Sequence, residues 1–406
     1  MNWKEQQKLQ PEVINAQCEA SPEEVDYNGE RLEVLNRHIQ SLINEGLICS
    51  GSYCLWRHGK VFADAAIGNL AREWQGNDRF LPNTLYEIQS VGKFFAAVSI
   101  LKLMEDGILY LGQPVMEWIP EFAEGELKNI TILHLLTHTS GLCSFGENYP
   151  ADRRNWETKV DDSNPTGTWI SAIVKTGLHA KPGEKWIYSI AGYYILGEII
   201  RRASGMEAED FIRETLFLPC GMTEIHWRKE GTEELIKRYN VANETDVAMV
   251  KESKEKGILS MARRTYSLWD GIPETAGGQM STSREMMRFA EMLLRDGTYR
   301  GNRVIGKKAL SYLGSNLLGK SVKDVTYDHN QTIYYGAGVP VYSREIDFGK
   351  MLSEHTIYHE GAGCCMFLAD REEDFAAMFQ TSFRKEFDWN HRAVMGTASI
   401  IWSGIL

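Results

Sequence analysis

The sequence predicts an α+β fold: an antiparallel sheet flanked by helices, built from both termini, with a mostly helical domain inserted between its halves. Three observations predict it. Paired β-rich runs occur near each end of the chain, the stretch between them is dominated by helical periodicity, and no internal repeat or low-complexity tract suggests another architecture.

In chain order, residues 1–28 are polar and acidic, broken by Pro11 and Pro22 with Gly29 just after, and read as a loosely attached leader. From Arg31, Leu32, Leu35, Ile39, Leu42 and Ile43 follow helical spacing, and Gly46 suits the residue just past a helix end. Ile48 to Arg57 and Val61 to Ile67, split by His58-Gly59-Lys60, give a hairpin signal. Met104 to about Trp269 is mainly helical, with loop clusters at Phe145–Asn164 and Arg228–Lys254. A second pair of strands, Cys364–Ala369 and Phe375–Gln380, flanks the charged turn Asp370–Asp374, and Trp389–Trp402 suits a closing helix. The expected organisation is a leader (1–28) and one unit (29–406), its α/β part being 29–110 plus 271–406 and its helical insertion about 111–270.

Composition excludes several function classes. The chain is 43% apolar and 24% charged, which is ordinary for a globular protein. A formal net charge of −11 argues against nucleic acid or an anionic membrane as partner. No run approaches the roughly 20 apolar residues needed to span a bilayer, and the N-terminus lacks the apolar core of a secretory signal. Seven scattered cysteines (18, 49, 54, 143, 220, 364 and 365) lack CxxC spacing, which fits reduced thiols better than a disulfide framework. The expectation is a soluble, cytoplasmic protein.

Ser90-Val-Gly-Lys93 precedes two apolar helical turns running to Asp106-Gly107. Positions i and i+3 share a helix face, roughly 5–6 Å apart at Cβ. A serine hydroxyl is a poor nucleophile until a base takes its proton, and lysine can be that base only when neutral. Burial and nearby positive charge lower a lysine pKa, and a helix N-terminus disfavours the ammonium while stabilising an oxyanion. SxxK alone is weak, since a capping serine and a surface lysine give the same letters.

The surroundings add specificity. Tyr86–Lys93 (YEIQSVGK), followed by Leu103–Leu109, resembles the active-site helix of the penicillin-binding and serine β-lactamase-like superfamily. Ile130–Leu142 (ITILHLLTHTSGL), Pro182–Gly197 (PGEKWIYSIAGYYILG), Ala276–Thr282 (AGGQMST), Tyr335–Gly338 (YGAG) and His359–Gly361 (HEG) are similar to further blocks of that family, in its order. The nearest branch resembles the class C β-lactamase and family VIII carboxylesterase group. The resemblance implies a β-lactamase/transpeptidase-like fold, with Ser90 attacking an acyl carbonyl and Lys93 and Tyr188 sharing the proton work. It implies that His359-Glu360-Gly361 stands on the pocket strand where many relatives have Lys-Thr-Gly. The oxyanion donors would be the N–H groups of Ser90 and Ala362. One departure stands out: the family's Tyr-x-Asn reads Tyr188-Ser189-Ile190, which removes a polar contact to a substrate amide and puts β-lactam hydrolysis in doubt.

Other patterns have plainer readings. Lys175-Thr176-Gly177 spells the third motif but ends a helical run, so Gly177 reads as a helix terminator. His134/His138 and His355/His359 have i, i+4 spacing but no HExxH glutamate, so they read as structural and no metal is expected. No G-x-S-x-G surrounds Ser90. Met286, Met287, Phe289 and Met292 read as core, and charged Arg228–Lys256 as a solvated excursion. The expected function is an acyl-enzyme serine hydrolase acting on small ester or amide substrates without cofactor. Alternatives are an acyltransferase of the same fold, a D-amino-acid peptidase or amidase, and a catalytically silent binding relative.

Overall fold

The structure, a computed structural model, describes residues 11–45, 47–48, 50–69, 79–142, 169–227, 272–326, 331–346, 350–361, 365–381 and 391–406. Gly46, Ala362, the Phe145–Asn164 loop and the Arg228–Lys256 stretch lie outside the described residues. Its frame is a six-stranded antiparallel sheet of β1 (Val13–Asn15), β2 (Ser50–Arg57), β3 (Lys60–Gly68), β7 (Ile357–Gly361), β8 (Cys365–Asp370) and β9 (Phe375–Thr381), in the order β1-β3-β2-β9-β8-β7. The two ends of the chain meet in its middle, where Met378 faces Cys54 across β9 and β2. The β2–β3 hairpin turns through His58 and Gly59, both at positive φ (50° and 86°), as a tight two-residue turn requires.

Both faces of the sheet are covered. One carries α1 (Glu30–Asn44) and α7 (Thr397–Trp402), with Leu35, Ile39, Leu42, Ile401 and Trp402 packed on Tyr53, Leu55, Leu368 and Phe379. The other carries α2 (Lys93–Glu105) and α6 (Ser283–Leu294), where Phe94 meets Phe289 and Phe367 edge-on at 5.9 and 5.2 Å. Burial on both faces explains why β2, β8 and β9 are uniformly buried instead of alternating with solvent. The methionines of α6 are core.

The leader expectation is corrected over residues 11–28. Val13 pairs with Ile67 at the sheet edge, and Tyr27 is fully buried, its hydroxyl donating to the Ile401 carbonyl at 2.9 Å. The backbone of residues 11–28 bonds to β3 and to Gly404 and Leu406 just past the C-terminal helix, so this polar segment belongs to the α/β part.

Between residues 111 and 227 lie short 3₁₀ turns, α3 (Ile132–Leu136), α4 (Trp169–Thr176) and α5 (Ile190–Ser204). Gly177 follows α4 at φ +78°, so Lys175-Thr176-Gly177 is a helix end. A small sheet, β4 (Tyr86–Glu87), β6 (Gln279–Ser281) and β5 (His226–Trp227), ties the segment before Ser90 to both halves of the chain. Among the described residues no helix is long and apolar enough to cross a membrane, and Cys18, Cys54, Cys220 and Cys365 are free thiols.

Candidate active site

Ser90 sits on a 3₁₀ turn, Gln89–Gly92, that runs into α2. Gly92 lets the buried side-chain amide of Gln279 on β6 approach the turn closely, since a Cβ there would overlap it. α2 is buried on every side from Lys93 to Leu101, lying between the sheet and α5. Lys93, its first residue, is therefore carried into the core with no exposed surface.

Three segments converge on the serine. Lys93 Nζ stands 3.2 Å from Ser90 Oγ, and the Tyr188 hydroxyl donates to the same oxygen at 2.8 Å. Lys93 Nζ also donates to the Ala276 carbonyl at 2.6 Å and lies 4.9 Å from the centre of the Tyr188 ring. No carboxylate of the described residues pairs with it. Burial draws the Lys93 pKa from 10.5 down to about 7. Burial likewise lifts the Tyr188 hydroxyl well above its usual 10, against the lowering effect of its bond to Ser90. The lysine is thus the easier of the two to find as a neutral base, and the tyrosine keeps its proton to donate.

Tyr188 is fixed by its backbone. It precedes Ser189, whose side chain caps α5 by accepting from the Gly192 N–H at 3.0 Å. Its own N–H donates to Thr326 Oγ1 at 2.9 Å. Ile190, the first residue of α5, is half-buried and packs against apolar clusters on both sides, so an aliphatic side chain occupies this position.

His359 and Gly361 lie on one face of β7, the face turned to the nucleophile's turn: a Cβ on Gly361 would come within 2.8 Å of Gln89 Cβ. His359 is buried, with its ring centre 6.5 Å from that of Tyr188. Its Nδ1 stands 2.6 Å from the Glu360 carbonyl oxygen, which can only accept. The hydrogen therefore sits on Nδ1 and Nε2 presents a lone pair, which is buried without a partner among the described residues. Burial and the nearby Lys93 push its pKa down to about 3, so the imidazole is neutral. Ala362, expected as the second oxyanion donor, lies outside the described residues.

Two further groups stand beside the residues that the sequence points to. The Ala276 carbonyl is a backbone group, with only its place in the AGGQMST block as a signal. His138, whose spacing with His134 reads as structural, packs on Tyr188 at 4.4 Å between ring centres. His134 closes a capping box at the start of α3 with Thr131.

A serine hydroxyl held between a buried lysine and a buried tyrosine, beside an antiparallel sheet with helices on both faces, is the arrangement of the β-lactamase/transpeptidase-like class. Residues 35–394 match the family described as Beta-lactamase, and the chain belongs to that family. It is 33% identical to "Penicillin-binding protein 4*" of Bacillus subtilis over 220 residues, 53% of this chain and 46% of that protein. The chain spans about half the length of the curated relatives it matches. Simvastatin synthase from Aspergillus terreus superposes with a TM-score of 0.70 at 15% identity, covering 92% of this chain and 98% of that one. EstCE1, described as a hydrolase with promiscuous acyltransferase activity, superposes at 0.69 with 16% identity, covering 91% and 98%. At those identities the two structures share the β-lactamase/transpeptidase-like fold with this chain.

Proposed function

We propose that the chain is a serine hydrolase that forms an acyl-enzyme on Ser90 and acts on uncharged esters. The observation that carries this reading is the placement of Ser90 Oγ 3.2 Å from Lys93 Nζ and 2.8 Å from the Tyr188 hydroxyl. In acylation the Ser90 proton passes to neutral Lys93 as Oγ bonds to the acyl carbon. As the ester C–O bond breaks, the leaving alkoxide takes the Tyr188 proton, and the Lys93 ammonium restores it to the tyrosine. Deacylation repeats the cycle with water as nucleophile and the serine oxygen as leaving group.

Two features favour uncharged esters over β-lactams and peptides. Ile190 offers neither donor nor acceptor to a substrate amide. His359 supplies a lone pair and no charge, so a substrate carboxylate meets no cation there. An alcohol in place of water would turn the same acyl-enzyme into an acyltransferase, and product analysis with added butanol measures that partition.

The test is fluorophosphonate labelling with turnover of a panel of p-nitrophenyl esters, anilides and a chromogenic β-lactam. Ser90 should be the labelled residue, esters should lead the panel, and Ser90→Ala should lose both label and turnover. Labelling that survives Ser90→Ala, or an intact protein that turns over nothing, sinks the reading.

A further inference from the structure

We propose that His138 is a positioning residue for Tyr188, clamping the backbone on both sides of the tyrosine while its ring holds the phenol beside Ser90. The proposal rests on Tyr188 acting in the proton path.

Three successive N–H groups anchor the segment that carries the phenol. Ile187 N–H donates to the His138 carbonyl at 2.8 Å, Tyr188 N–H to Thr326 Oγ1 at 2.9 Å, and Ser189 N–H to His138 Nδ1 at 3.0 Å. His138 supplies two of the three acceptors, one from its main chain and one from its side chain. Because Nδ1 accepts from an N–H, the ring carries its hydrogen on Nε2 and is neutral. Burial, with Lys93 and His359 nearby, holds its pKa well below 6.5, so the acceptor persists at working pH. The ring lies 4.4 Å from that of Tyr188 at an interplanar angle of 33°, and Tyr193, Trp186 and Tyr335 surround it at 5.1–5.4 Å.

The backbone gives a second, independent sign. α3 ends in a double-bonded cap, with Thr139 N–H donating to the His134 carbonyl at 2.9 Å and His138 N–H to the Leu135 carbonyl at 3.4 Å. His138 is the residue of that cap in the left-handed region, at φ +56°. Glycine is the ordinary choice there because a Cβ is penalised. A histidine at this position is unfavourable for the helix, and the clamp on residues 187–189 is what it provides in return.

That conflict separates a positioning role from a structural one. His138→Gly relieves the backbone and removes the Nδ1 acceptor and the ring, leaving only the main-chain carbonyl of the clamp. His138→Asn tolerates the left-handed region and keeps an acceptor near the place of Nδ1. Steady-state kinetics on a p-nitrophenyl ester, with melting temperatures, are measured for both variants and for each combined with Tyr188→Phe. A 1 Å misplacement of a reacting group can cost about 10²-fold. The glycine variant should therefore lose about 10- to 100-fold in kcat with KM within about threefold, while melting no lower than its asparagine counterpart, and asparagine should recover most of the rate. In the Tyr188→Phe background His138→Gly should change kcat less than about twofold, because both act through one hydroxyl. Wild-type kcat in His138→Gly, or full additivity with Tyr188→Phe, overturns the clamp. Should the glycine variant not fold, His138→Gln, which moves the acceptor one bond outward, must be slower than His138→Asn, and equal rates overturn it too. Normal turnover in Tyr188→Phe refutes the tyrosine's role itself, and the proposal falls with it; additive losses refute only the part played by His138.

Discussion

The pH dependence of acylation gives the sharpest test of Lys93 as base. A fall in pKa from 10.5 to about 7 corresponds to about 5 kcal/mol of preference for the neutral amine, at about 1.4 kcal/mol per unit. The sign follows from chemistry: the ammonium cannot accept the Ser90 proton, so activity belongs to the deprotonated form. Below about pH 7, kcat/KM should fall tenfold per unit, leaving about a tenth of the plateau at pH 6, and it should be level above pH 8. Neighbouring groups do not confuse the limb. His138 and His359 titrate far below it, and Tyr188 far above. The assay is initial-rate hydrolysis of a neutral p-nitrophenyl ester from pH 5 to 9 at constant ionic strength, read at the isosbestic wavelength of the released phenol. Lys93→Arg keeps a permanent charge, so it should lose about 10²–10⁴-fold in rate and lose the limb with it. A flat profile, a limb below about pH 5.5, or a limb that persists in Lys93→Arg would refute the assignment.

Two further outcomes follow from the pocket walls. Ile190→Asn should narrow the ester-to-amide gap in kcat/KM by roughly 2- to 13-fold, the value of one net hydrogen bond; a wild type that already prefers the amide would refute this use of Ile190. His359→Lys should improve kcat/KM for an ester bearing a carboxylate relative to its methyl-terminated match, tested with the carboxylate on either side of the scissile bond. An unchanged ratio in both series would show that β7 does not read substrate charge.

Much of the fold was legible because its central strands and α2 are apolar runs without competing patterns. Ile48 to Arg57 gave β2 to within two residues, and Phe375 to Gln380 gave β9 to within one. The elements that the sequence does not show are short or polar. β1 is three residues long, Val13–Asn15, too few to show alternation, and its place is fixed by pairing with β3, 50 residues on at Asn15↔Ala65 and 54 at Val13↔Ile67. β4, β5 and β6 are two or three residues each, yet they bring the Ala276–Ser281 segment alongside the Ser90 turn. At the site, side chains in motif blocks could be named in advance, whereas the Ala276 carbonyl could not, because every residue has one. His138 was visible as a letter in ITILHLLTHTSGL. Its function depends on a left-handed backbone and on a partner segment about 50 residues away, neither of which spacing encodes.

The chemistry and the packing of α2 have one cause. An amphipathic helix would leave its first residue at a surface, where an ammonium is hydrated and holds its proton near pH 10.5. α2 is instead buried on every side from Lys93 to Leu101, with Phe94 against the sheet-side aromatics and Phe95 against Phe217 at 4.7 Å. Each such side chain contributes about 1.5–3 kcal/mol when fully buried, enough together to offset the cost of carrying Lys93 inside without a carboxylate partner. A counter-ion would have returned the lysine to its charged form. The same apolar surroundings that hold the helix in place therefore keep its lysine able to accept a proton, and the Ala276 carbonyl and Ser90 hydroxyl satisfy the amine without restoring its charge.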